Sequence, residues 1–187
     1  PGVTLTCTAA SADTAVPAER TATLLRTLVA LPQGVEAMDT DFPGLVQTSL
    51  NMGVTKLDET GLRISFSIRS SIASRKMMLA QRVRAVITLA GGTVTEGGVY
   101  PGWQYKRESQ FRDTLLAAYK DLTGKDGVVE ATHGGLECGL LMEKLPGLDA
   151  VSVGPDLFDV HSVRERLNVA STERTYALVC ELLRRSV

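Results

Sequence analysis

Cysteine is scarce in this chain: Cys7, Cys138 and Cys180 are the only three among 187 residues, far apart and without a C-x-x-C pair. Neither a disulfide framework nor a structural zinc knuckle is readable from them, and a reducing cytoplasm fits best. Histidine is scarcer still, with His133 and His161 alone, and Trp103 is the single tryptophan. An excess of either charge is missing too, since 20 basic side chains face 21 acidic ones for a formal net charge of −1. Nucleic-acid binding usually rests on a basic field, and no Lys/Arg cluster supplies one locally, so no DNA or RNA partner is expected. No run approaches the roughly 18 uninterrupted apolar residues of a spanning helix, and residues 1–20 lack the basic start and apolar middle of a signal peptide. Neither membrane insertion nor export is expected. There is no P-loop, G-x-G-x-x-G, G-x-S-x-G or H-E-x-x-H pattern. The chain opens at Pro1 without an initiator Met, which leads us to expect a piece of something longer.

What is present is an ordinary globular composition, 44% hydrophobic and 22% charged, with enough apolar residues to bury a core. Residues 3–7 alternate threonine with apolar residues and predict a short strand. Pro17 then stands where a helix's first turn tolerates it, Ala22, Leu24, Leu25, Leu28 and Val29 form one stripe, and Pro32 stops the run. A loop follows through Gln33, Gly34 and Pro43. Residues 45–57 and 61–69 flank turn chemistry at Asp58, Glu59, Thr60 and Gly61, and Ile64, Phe66 and Ile68 alternate with Arg63, Ser65, Ser67 and Arg69, which predicts a hairpin. Ser70 or Ser71 caps the next expected helix, which carries Met78, Leu79, Val83, Val86, Ile87 and Ala90 until Gly91 and Gly92 end it. A strand at 93–96 completes a β-α-β-β-α-β order, the ferredoxin-like arrangement of an antiparallel sheet under two helices.

Pro101, Gly102 and Trp103 sit in a polar joint, and a domain boundary near Lys106 is expected there. Beyond it the pattern predicts a helix on Phe111, Leu115, Leu116, Tyr119 and Leu122 closed by Gly124, a strand at 128–132, and a short helix at 140–144. A strand at 150–153 and a last helix capped by Ser171 follow. Two short strands seldom make a stable sheet, so residues 107–187 read as the end of a doubly wound α/β domain. The fold class is thus α/β in the broad sense, an α+β module at 1–106 followed by part of an α/β domain.

Candidate chemistry is thin. His133 and His161 lie in loops at predicted strand ends, where α/β sheets place ligand sites. His161, near Asp159, is either an exposed loop histidine or a metal ligand, and with His133 and Glu137 these residues show no close ligand spacing. Arg69, at a strand end beside hydroxyls, is either solvated or a bidentate holder of a carboxylate. Cys138 is a packing residue or a thiol nucleophile, packing being the commoner role.

Taken in order, Thr48-Ser49-Leu50-Asn51-Met52-Gly53, Ile68-Arg69-Ser70, Tyr100-Pro101-Gly102-Trp103-Gln104, His133-Gly134-Gly135-Leu136-Glu137-Cys138-Gly139, and Val153-Gly154-Pro155 followed by His161-Ser162 resemble one family. They are similar to the C-terminal part of bacterial aminoacyl-histidine dipeptidases, dinuclear zinc peptidases related to carnosinase. The resemblance implies a ferredoxin-like lid or dimerisation domain at 1–106, which would pair homodimers, and the C-terminal part of a catalytic domain at 107–187. It implies a cytoplasmic enzyme that hydrolyses dipeptides of Xaa-His type with a zinc-activated water. By the same resemblance His161 ligates one zinc, Arg69 binds the dipeptide's C-terminal carboxylate, Gly134 and Gly135 line the substrate pocket, and Cys138 is only part of that loop. The other ligands and the general-base glutamate have no counterpart in this chain, so no catalytic residue is assigned and the polypeptide alone is expected to be inactive. The rival expectation is a non-enzymatic module whose ferredoxin-like domain dimerises or binds an amino acid.

Overall fold

The computed structural model describes residues 2–4, 6–11, 14–132 and 136–186. Two hydrophobic clusters organise them, one drawn from residues 31–87 and one from residues 115–182.

The first cluster grows from a long hairpin. Strand β2 (Val46–Asp58) pairs antiparallel with β3 (Gly61–Ser70), and β1 (Gly34–Met38) adds to the free side of β2 in the order β1-β2-β3. The turn is made by Asp58, whose Oδ1 accepts from the Thr60 N–H at 2.9 Å, and by Gly61 at φ 131°. Because successive side chains on a strand point to opposite faces, Leu50, Met52, Ile64, Phe66 and Ile68 share one face. That face packs on helix α2 (Ala73–Leu89) through Leu79 and Val83, with Leu50 and Leu79 essentially inaccessible to solvent. Burying each such leucine is worth about 1.5–3 kcal/mol, so this contact fixes which face of the hairpin is left to water. At the strand end, Thr48 stands opposite Ser70, and their buried hydroxyls hydrogen-bond at 2.8 Å. Helix α1 (Ala18–Ala30) precedes the sheet and touches α2.

The second cluster joins α3 (Gln110–Thr123) to α5 (Val169–Arg185) through Leu115, Ala118, Leu178 and Leu182. Helix α3 is capped by Ser109, which accepts from the Arg112 N–H at 3.1 Å, and is closed by Gly124 at φ 70°. Between them lie α4 (Glu137–Lys144) and a small hairpin of two-residue strands, β4 (Leu157–Phe158) and β5 (Arg166–Leu167).

The α+β class expected from the sequence is borne out, with both helices and small antiparallel sheets. Within it several elements differ. The middle of the expected β-α-β-β-α-β order is present, but the third strand is Gly34–Met38, expected to be loop, and residues 93–96 are not strand. The described residues of 3–7 are exposed coil and join neither sheet. Residues 128–132 and 150–153 carry no strand either and join neither sheet of the described residues, because strand composition alone does not build a ladder. Helix α2 is capped at Ile72 rather than by a serine, although Ser70 Oγ does accept from the Ile72 N–H at 3.1 Å. Asn168, not Ser171, caps α5 and accepts from the Ser171 N–H at 3.2 Å.

Candidate active-site surface

The alternation that sends Ile64, Phe66 and Ile68 into the core sends Ser67 and Arg69 to the opposite face. The register puts Ser49 across from Arg69 and Asn51 across from Ser67. These four residues line a shallow polar depression of about 260 Å³. Cross-strand neighbours on one face stand within side-chain reach of each other. The result is an arginine flanked by hydroxyls and an amide, on a sheet held rigid from behind. Among the described residues no carboxylate neutralises Arg69. A guanidinium placed so offers a fork of N–H donors to a planar anion, and a carboxylate is the group that matches it.

Three of the sequence motifs meet beside this depression. The segment of Tyr100, Pro101, Gly102 and Trp103 passes so close to the end of β3 that a Cβ on Gly102 would lie 2.6 Å from the Ser71 carbonyl oxygen and 2.8 Å from that of Ser70. On the other side of the segment Gly139 of α4 is buried, and a Cβ there would come within 3.2 Å of the Pro101 carbonyl oxygen. The first approach requires glycine, and the second is tight for any larger residue. Lys76, in the first turns of α2, donates to the Tyr100 carbonyl oxygen. Burial pushes the Lys76 ammonium below its ordinary value of 10.5. Burial, followed by the nearby Glu137 and Cys138, pushes the Tyr100 phenol up from 10.0.

His161 sits in the loop of the β4–β5 hairpin, exposed, at φ 65°, and Asp159 lies at φ 52°. Glu165 accepts the His161 backbone N–H at 2.8 Å, and Arg166 pairs with Asp159 at 2.9 Å. Among the described residues no group of three or more His, Cys, Asp and Glu side chains comes together to hold a metal ion. The zinc pair implied by the resemblance therefore does not fit the described residues alone. His133, Gly134 and Gly135 lie outside the described residues. Cys138 is half-buried near the start of α4.

A second concavity, of about 280 Å³, lies between the segments at 129–132 and 149–152, with Trp103, Leu136 and Met142 in its walls. Asp149 stands at its rim as an anchor for α3, accepting from Ser109 Oγ at 2.8 Å and from the Phe111 N–H at 3.2 Å. Burial raises the Asp149 carboxyl, but these hydrogen bonds, with Lys106 and Arg112, outweigh it and hold its pKa below the ordinary 3.8.

The general position of Arg69 was legible in the sequence; its companions were less so. Ser49 and Asn51 stand in a motif noted above without a role, and with Ser67 they emerge once alternation is combined with hairpin register. Nothing in the sequence pointed to Lys76.

These features define a class first. The chain shares the fold of a solved aminopeptidase PepT from Bacillus cereus, with a TM-score of 0.65 at 16% identity over 87% of this chain and 44% of that one. At closer range it is similar to a solved aminoacylhistidine dipeptidase from Vibrio alginolyticus, with a TM-score of 0.77 at 31% identity over 88% of this chain and 34% of that one. It is also 35% identical to the cytosol non-specific dipeptidase of Escherichia coli over 162 residues, 87% of this chain and 33% of that protein. No protein-family model matches. The resemblance to aminoacyl-histidine dipeptidases is thus borne out, and the chain spans about a third of the length of these two relatives.

Proposed function

We propose that this chain is the C-terminal part of a cytoplasmic metallodipeptidase and supplies the surface that binds the substrate's carboxylate end. The observation that carries the reading is the Arg69 depression, with Ser49, Asn51 and Ser67 beside a guanidinium that no acidic group of the described residues neutralises. Similarity to two dipeptidases over most of the chain supports the same reading.

In the proposal the C-terminal carboxylate of a dipeptide, of Xaa-His type or broader, pairs with Arg69, and the small polar neighbours orient it. Residues 1–106 form the lid, and residues 107–187 complete a catalytic domain. Gly134 and Gly135 line the pocket, and His161 is one ligand of a zinc pair whose other ligands come from outside this chain. The apolar concavity and the strandless segments beside it are consistent with a surface made to be covered by more sheet. A homodimer through the lid is part of the proposal, since Val35 and Met38 on the outer strand β1 and Leu25 and Val29 on α1 are exposed.

A hydrolysis assay on the 187-residue chain, with and without added zinc, tests the partial nature of the site. No turnover is expected in either case, and cleavage of a dipeptide by the chain alone would overturn the reading. Calorimetric titration separates the rival non-enzymatic module. Half a site should bind a dipeptide in the range of about 1 mM, whereas zinc-free binding of an amino acid at about 1 μM would favour a regulatory module.

A further inference from the structure

The Arg69 depression is built on the last residues of a strand, where a ladder normally frays. Here four observations converge on the end of β3 and the segment that lies on it. The Ser71 N–H donates to the Gln47 carbonyl oxygen at 3.2 Å, and the Thr48 and Ser70 hydroxyls bond behind the strand. The segment at 100–103 lies directly on the carbonyl oxygens of Ser70 and Ser71, at a distance only a glycine permits. Lys76, five residues beyond Ser71 and on the next element, reaches back to the Tyr100 carbonyl oxygen of that same segment.

We propose that Lys76 is a positioning residue for Arg69: it pins the segment at 100–103 as a strap across the end of β3, and the strap holds the Arg69 backbone in register. The inference rests on the carboxylate reading of Arg69 given above. Lys76 touches no substrate; it acts through the strap. A long amine suits the task, because a half-buried, flexible stem carries its head to a carbonyl that it satisfies. Gly139 backs the strap from the α4 side, so the helix that follows residues 133–135 is held to the same segment. Arg69 and α4 are thereby tied to one piece of backbone.

The test is carried out on the 187-residue chain by amide hydrogen exchange and by NMR titration with L-alanyl-L-histidine. In Lys76→Ala we expect the Ser71 and Ile72 amides to exchange about tenfold faster, with Phe66 in mid-strand unchanged, and Lys76→Arg to restore protection. Gly102→Ala should do the same or more. Gly127→Ala is the control, because its Cβ would be equally crowded, at 2.7 Å, but only by the end of the Leu116 side chain. Unaltered exchange at Ser71 and Ile72 in Lys76→Ala, or no recovery in Lys76→Arg, would overturn the proposal without need of any ligand. The titration keeps the two readings apart. If Arg69→Ala abolishes the dipeptide-induced shifts while Lys76→Ala binds like the native chain, the strap fails and the carboxylate site stands. If Arg69→Ala binds normally, the carboxylate reading itself is what falls. Loss of about tenfold in affinity in Lys76→Ala, with a native-like thermal melt, is the outcome the proposal expects.

Discussion

At the scale of single residues, groups that hold the fold differ from groups held by it. Arg69 is exposed on an outward-facing position, so Arg69→Ala should change stability by no more than about 0.5 kcal/mol in a urea titration while removing carboxylate binding. Asp149 is the reverse case. Its folded pKa lies below the ordinary 3.8, so its stabilising contribution is complete above that value and is lost as pH falls below it toward the folded pKa. Asp149→Asn should therefore lower stability at neutral pH and flatten the acid limb, as measured by denaturant midpoints across a pH series; an unchanged acid limb would remove Asp149 as an anchor of α3. His161 occupies a left-handed conformation that a non-glycine residue adopts at a cost. His161→Gly should raise stability by up to about 1 kcal/mol, which would mark a residue kept for its imidazole rather than for the hairpin.

At the scale of elements, local chemistry was legible wherever it closed on itself. The β2–β3 hairpin could be read because alternation and the Asp58–Gly61 turn are both encoded within twenty-five residues. Helices α1, α2, α3 and α5 could be read because each carries an apolar stripe bounded by proline, glycine or a cap. What failed were the strands that depend on something distant. Gly34–Met38 has little strand character of its own and becomes β1 because β2 presents a free edge to it, whereas residues 128–132 have the composition of a strand and join no sheet among the described residues. The same reason explains the site: Arg69 was visible as a strand-end arginine, but Ser49 and Asn51 became its companions only through register. Register is enforced by the face that packs on α2, so Leu50→Ala should cost about 2–5 kcal/mol in chemical denaturation and blur the depression on the other side. A cost under about 1 kcal/mol would mean that the hairpin is not anchored by this core.

At the scale of the whole molecule, the chain carries a polar depression lined by Ser49, Asn51, Ser67 and Arg69 and no metal-holding cluster among its described residues. It spans about a third of the length of the dipeptidases it is similar to. The proposal that joins them is that the chain contributes the carboxylate end of a dipeptide site. The most direct measurement compares L-alanyl-L-histidine with its C-terminal amide in NMR titrations of the 187-residue chain, native and Arg69→Ala. The free acid should shift the signals of Ser49, Asn51, Ser67 and Arg69, the amide should not, and Arg69→Ala should respond to neither. Equal shifts with acid and amide, or an undiminished response in Arg69→Ala, would contradict it.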